Sequence, residues 1–125
     1  MKKFEKMDFS TERKVVFAAM SKRNFFLREH IIRFVLEKGH TPTCAFMMFS
    51  YFLLDTVDRK DLITANNDLI RRSDELWVFG EISDGVKAEI NLAKELKRPI
   101  HYFTGGINLA KFKEISERRV KYEIY

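Results

Sequence analysis

The chain is poor in the residues that build covalent or metal-bound scaffolds. Of 125 residues only Cys44 is a cysteine, which excludes an internal disulfide framework and a Cys-based zinc site. The histidines, His30, His40 and His101, are spread so that no spacing resembles a metal site. No apolar run spans a bilayer: the longest, residues 45–54, is about ten residues with Ser50 inside it, against the roughly 20 a helix needs. The start, Met1-Lys2-Lys3-Phe4-Glu5-Lys6, is charged and lacks the apolar segment of a cleavable signal. A cytoplasmic protein without membrane contact is expected. Strong charge of one sign is also missing. The net charge of +5 comes from basic residues interleaved with acids, so nucleic-acid binding would rest on charge alone and is not expected.

What is present is globular: 46% hydrophobic and 33% charged residues, with 12 Phe against 4 Tyr and 1 Trp. One domain with a Phe-rich core is implied, large enough to need no staples. Residues 1–12 are polar and expected to be loosely held. Residues 13–125 form the domain, without repeat, low-complexity run or linker.

Along that domain, 14–20 (KVVFAAM) reads as a buried strand and 24–38 as a helix stopped by Gly39. This helix carries two adjoining apolar stripes. One is Phe25, Ile32 and Leu36; the other is Leu27, Ile31, Phe34 and Val35. Covering both suggests a subunit interface and hence a homodimer. A second strand, 41–46, leads to an apolar helical turn at 47–54. An amphipathic helix over 58–73 turns Leu62, Ala65, Asn66, Leu69 and Ile70 inward and Asp68 and Arg71 outward. A strand at 75–79 (ELWVF), a helix at 85–96, a strand at 99–104, a short helix at 109–115 and a strand at 120–125 complete the chain. The alternation predicts an α/β fold: a three-layer, doubly wound parallel five-stranded sheet of flavodoxin-like order 2-1-3-4-5.

In such folds ligands sit beyond the carboxyl ends of the strands, at the switch between strands 1 and 3. Two loops lie there. One carries Ser21, Lys22 and Arg23, a hydroxyl and two cations. The other carries Ser83, Asp84 and Gly85 at the start of a helix, where free N–H groups favour an anion. Each serine also fits a plain N-cap role. Neither loop matches a Walker A motif or a dinucleotide fingerprint, and no cofactor is expected. The sharper anomaly is Glu89, which falls among Val86, Ile90 and Ala93 on the inward face of its helix. A carboxylate there must be paired or must line a cavity. It is either a nucleophile or base, or half of a structural ion pair, with Arg28 a partner for the latter. Asn66 is a second polar residue on an inward stripe. Phe46, Met47, Met48, Phe49, Tyr51 and Phe52 could wall an aromatic ligand, or pack in the core or an interface.

These residues carry a resemblance. The stretch Arg72-Ser73-Asp74-Glu75-Leu76-Trp77-Val78-Phe79, followed by Ser83-Asp84-Gly85-Val86-Lys87-Ala88-Glu89-Ile90, resembles the nucleoside 2-deoxyribosyltransferase superfamily. Within it, the chain is most similar to the 2'-deoxynucleoside 5'-monophosphate N-glycosidases and to uncharacterised small relatives. The resemblance covers roughly residues 14–103. It implies S-x-G-V-x-x-E opening a helix with Glu89 as nucleophile, and S-x-R (Ser21, Arg23) holding a 5'-phosphate. Two positions depart from the pattern. Where the family has a Tyr that hydrogen-bonds the nucleophile, this chain has Phe17. Where it has an Asp on the helix before strand 3, this chain has Asn66, with Asp68 two residues on.

The resemblance implies an enzyme that cleaves or exchanges the N-glycosidic bond of a nucleoside or nucleoside 5'-monophosphate. Glu89 and Asn66 (or Asp68) would serve catalysis, and Phe17, Ser21, Arg23, Ser83, Asp84 and Gly85 would line the substrate site, near a dimer contact. The alternative is a non-catalytic nucleotide-binding or sensing module, favoured by Phe17 and Asn66. A flavin electron carrier fits less well, because the first loop lacks the Ser/Thr-rich phosphate loop expected there.

Overall fold

The computed structural model describes residues 11–45, 56–104 and 111–124. The expected loose segment at 1–12 lies almost wholly outside them, and the helical turn at 47–54 and the whole cluster of Phe46, Met47, Met48, Phe49, Tyr51 and Phe52 also lie outside.

The strand β1 (Val15–Met20) is buried from Val16 onward. Its continuous apolar run has no polar face because both sides of the sheet are covered there. A 3-10 helix, Lys22–Leu27, then leads into α1 (Arg28–Glu37). Gly39, at φ +88°, turns the chain into β2 (Thr41–Thr43). The helix α2 (Arg59–Arg71) is capped by the Asp58 carboxylate, which accepts the Lys60 N–H at 3.0 Å. The buried strand β3 (Glu75–Phe79) precedes α3 (Asp84–Glu95). Then come β4 (Ile100–Thr104), β5 (Lys113–Ile115) and a 3-10 turn, Glu117–Arg119.

The sheet order is β2-β1-β3-β4-β5, the expected 2-1-3-4-5. The first four strands are parallel, with Met20 level with Phe79 and Phe79 level with Phe103. The fifth corrects the expectation. It runs antiparallel to β4, with Thr104 opposite Lys113, so the sheet is mixed. It also falls where a short helix was expected. The chain between Thr104 and Lys113 is shorter than the dozen or so residues a parallel crossover requires, so the next strand returns beside β4. The segment expected as the last strand, 120–125, makes a single parallel bridge, Tyr122 to Ile82, and no sheet strand among its described residues.

On one side of the sheet, Leu27 of the 3-10 helix and Ile31 and Val35 of α1 pack against Val16, Ala18, Trp77 and Phe79. On the other, α2 and α3 pack Ile70, Val86, Ile90 and Ala93 against Phe17, Ala19, Leu76 and Val78. The second stripe of α1 therefore faces the sheet, while Leu36 of the first stripe is 47% exposed. The Phe-rich core is real on the α1 side. Phe34 meets Phe79, Phe103 and Phe112 edge-on, and Phe79 stacks on Phe103 at 5.1 Å.

Gly80, which ends β3, has φ +80°, and the Asn24 amide lies where its side chain would project. Gly39 has a similar φ but open space around it. Gly39→Ala should thus lose about 1 kcal/mol from backbone strain alone, and Gly80→Ala about 2–3 kcal/mol because Asn24 must also move. Urea unfolding of the two variants tests this. Equal losses would mean that the Asn24–Gly80 approach does not matter.

Candidate functional site

Glu89 and Asn66 reach each other across the seam between α3 and α2. Asn66 Nδ2 donates to Glu89 Oε2 at 2.6 Å. Each arrives there by helical spacing. Asn66 shares its face with Leu69 and Ile70, and Glu89 shares its face with Val86, Ile90 and Ala93. Burial pushes the Glu89 carboxyl up to about 7, and the Asn66 amide only partly opposes it. The alternative partner, Arg28, is committed elsewhere. It donates to the Phe25 carbonyl at 3.0 Å and lies over the Phe25 ring at 4.0 Å. Among the described residues no cation is paired with Glu89. A neutral amide and an apolar surround leave a carboxyl that changes charge near neutral pH, the property an acid, base or nucleophile needs.

Asp68 is not part of this arrangement. It is about half exposed and pairs with Arg71 at 3.0 Å on the outer face of α2. Two residues beyond Asn66 turn a helix by about 200°, which carries the carboxylate away from the seam. Phe17 also corrects an expectation. It is 1% exposed, packed in the core beneath α2 and α3, and offers no ligand surface.

The two loops meet as expected at the carboxyl ends of β1 and β3. Ser21 is buried and caps the 3-10 helix, its Oγ accepting the Arg23 N–H at 3.3 Å. Ser83 caps α3, its Oγ accepting the Val86 N–H at 3.2 Å. Both serines therefore serve as N-caps. Asp84 and Gly85 are exposed in the first turn of α3. Glu89 follows Ser83 by about 9 Å along the axis.

A residue that pattern reasoning missed closes this end. The C-terminal segment crosses the second loop, with Ile82 N–H donating to the Lys121 carbonyl (2.8 Å) and Glu123 N–H to the Ile82 carbonyl (2.9 Å). This brings the Glu123 side chain, 4% exposed, within 3.9 Å of the Arg23 guanidinium, which also donates to the Ile124 carbonyl at 3.4 Å. The expected phosphate-binding arginine is thus anchored by the chain's own tail. An exposed-looking K-Y-E-I-Y sequence gave no local signal of it. Among the described residues no group of three His, Cys, Asp or Glu side chains is placed to hold a metal ion. No helix there is long and apolar enough to cross a membrane.

Residues 15–103 match the model of a family described as Domain of unknown function (DUF7768). A search of the curated proteins finds no match.

The titration of Glu89 has a signed consequence. Its pKa is raised in the folded state, so the folded chain holds the proton more tightly than the unfolded one. The stability conferred by neutral Glu89 is complete below pH 4.5 and is lost as pH rises through about 7. The swing is on the order of 3 kcal/mol, at about 1.4 kcal/mol per pH unit. Glu89→Gln removes it. Wild type should lose stability relative to that variant from about pH 5 to about pH 8 in urea unfolding. Parallel pH curves would mean that Glu89 is not buried as described.

Proposed function

The chain belongs to that family of unknown function, so its activity must be read from its own side chains, and we propose that it breaks or exchanges the N-glycosidic bond of a nucleoside or nucleoside 5'-monophosphate. The observation that carries the reading is the Glu89–Asn66 pair: a partly buried carboxyl with a pKa of about 7, held by an amide and unpaired with any cation among the described residues. With Oε2 held by Asn66, ionised Glu89 uses Oε1 to bond C1' of the sugar. The C1'–N bond breaks, and the base leaves with the bonding electrons and takes up a proton. Water then attacks C1', releasing the sugar and restoring the ionised carboxylate, the proton that water loses replacing the one the base took up, or a second base takes the sugar in an exchange. Arg23 and the N-terminal end of α3 supply positive charge for a phosphate. Self-association belongs to this reading, supported by the exposed Phe26 and Leu36, and so does a cytoplasmic location. A second reading, binding without turnover, draws on Phe17 and on the commitment of Arg23 to Glu123.

The test is chromatographic detection of free base after incubation with ribo- and deoxyribonucleosides and their 5'-monophosphates, with and without an acceptor base. Wild type should release base, and Glu89→Gln should lose at least about 10³-fold in rate. No release by wild type from any substrate would overturn the enzyme reading. Thermal shifts with the same compounds would then decide for or against binding without turnover.

Arg23→Ala separates phosphate from sugar recognition. It should raise KM for a monophosphate about tenfold or more while leaving the nucleoside little changed, the loss of a charge-assisted contact. An equal effect on both would assign Arg23 to holding the tail rather than the substrate.

A further inference from the structure

A cavity lies at the amino-terminal end of the parallel strands, opposite the Ser21 and Ser83 loops, on the α1 side of the sheet. It encloses about 360 Å³, within the range of small-molecule sites. Its apolar lining is aromatic: Phe34, Trp77, Phe103 and Phe112. These rings fix one another edge-on or tilted, Phe34 lying 6.1 Å from Trp77 and Trp77 5.0 Å from Phe103.

The polar groups around it fall into two sets. The first is self-satisfied. Buried Glu75 accepts the Trp77 indole N–H at 2.9 Å and the Lys14 ammonium at 3.1 Å. His101 bonds Glu114 at 2.7 Å and approaches Glu75 at 3.6 Å. The second set has no such partners. His40 sets its ring edge-on to Trp77 at 5.2 Å, and its buried Nδ1 has no hydrogen-bond partner. Lys38, two residues away across the Gly39 turn, lies 5.4 Å from the Phe34 ring centre and has no carboxylate partner among the described residues. The carbonyls at this end of α1 do not oppose an anion, because Arg13 caps those of Leu36 and Gly39 at 2.8 and 2.7 Å.

A buried ring nitrogen without a partner and an ammonium without a carboxylate, both on the lining of an aromatic cavity, describe a complementary ligand. We propose that this cavity binds a small planar aromatic acid, its ring against Trp77 and Phe34 and its carboxylate accepting from His40 Nδ1–H and Lys38. Both carboxylates of the cavity are already matched, so nothing remains for a cationic ligand to pair with. An aliphatic acid would leave the aromatic wall unused. The proposal is independent of Glu89.

Trp77 is the only tryptophan, so its indole N–H gives one resolved signal in a ¹⁵N-labelled sample. Titration with benzoate should shift that signal saturably, in the millimolar range expected of so small a ligand. Acetate, which carries the charge without the ring, and benzylamine, which carries the ring with the opposite charge, should not saturate it. Lys38→Met, at an exposed position, and His40→Phe should each weaken benzoate at least fivefold. Backbone amide signals will confirm that each variant keeps its fold. Four outcomes would each overturn the proposal: no saturation by tens of millimolar benzoate, an equal response to acetate, an equal response to benzylamine, or unchanged affinity in a folded Lys38→Met.

Discussion

The parallel pairing of β1 with β3 is the constraint on which the rest depends. Asp74 fastens its start, its N–H donating to the Val15 carbonyl at 2.7 Å and its side chain accepting the Val15 N–H at 2.8 Å. From there the two strands run buried to Met20 and Phe79. With both ends level, the loops after the strands emerge side by side. The Asn24 amide then settles against Gly80, a position only glycine tolerates without rearrangement. Helices on opposite sides follow from the same pair, because each strand presents alternate residues to each side. Ala18 and Phe79 face α1, and Phe17 and Val78 face α2 and α3. The seam that holds Asn66 and Glu89 exists because α2 and α3 share the second side.

Much of this was legible in sequence because the signals are local. The runs VVFAAM and ELWVF, short and rich in β-branched or aromatic residues, read as strands, and both are buried strands. The helix around Glu89 declares its inward face by spacing, and that spacing marked Glu89 and Asn66 as out of place before any contact was known. Asp68 was equally legible as outward. Other features depend on where distant chain returns. The antiparallel β5 follows from the brevity of the connection after Thr104, which a reading of alternating elements does not weigh. The tie between Glu123 and Arg23 needs the tail to cross Ile82, and nothing in the tail's composition says so. The roles of Ser21 and Ser83 were ambiguous in sequence. Both hydroxyls cap helix starts, an arrangement that also fixes the loops where a ligand would bind.

Glu75 and Glu89 show why burial alone does not mark a chemical group. Both are glutamates on inward faces. Burial raises the pKa of Glu75, but the Trp77 indole, the Lys14 ammonium and His101 outweigh it, and the carboxyl is held below its ordinary range. Its charge is fixed, it orients the only tryptophan, and it ties β3 to the residue before β1. Glu89 meets the same penalty with one neutral amide in reply, and its carboxyl moves the other way. The first arrangement makes a permanent ion, suited to holding a wall in place. The second leaves a group near the midpoint of its titration at neutral pH, which costs stability as the charged form appears. The contrast lies in the partners, since both side chains start from the same chemistry. It places a fixed charge at the amino-terminal end of β3 and a carboxyl that changes charge near neutral pH in the seam between α2 and α3.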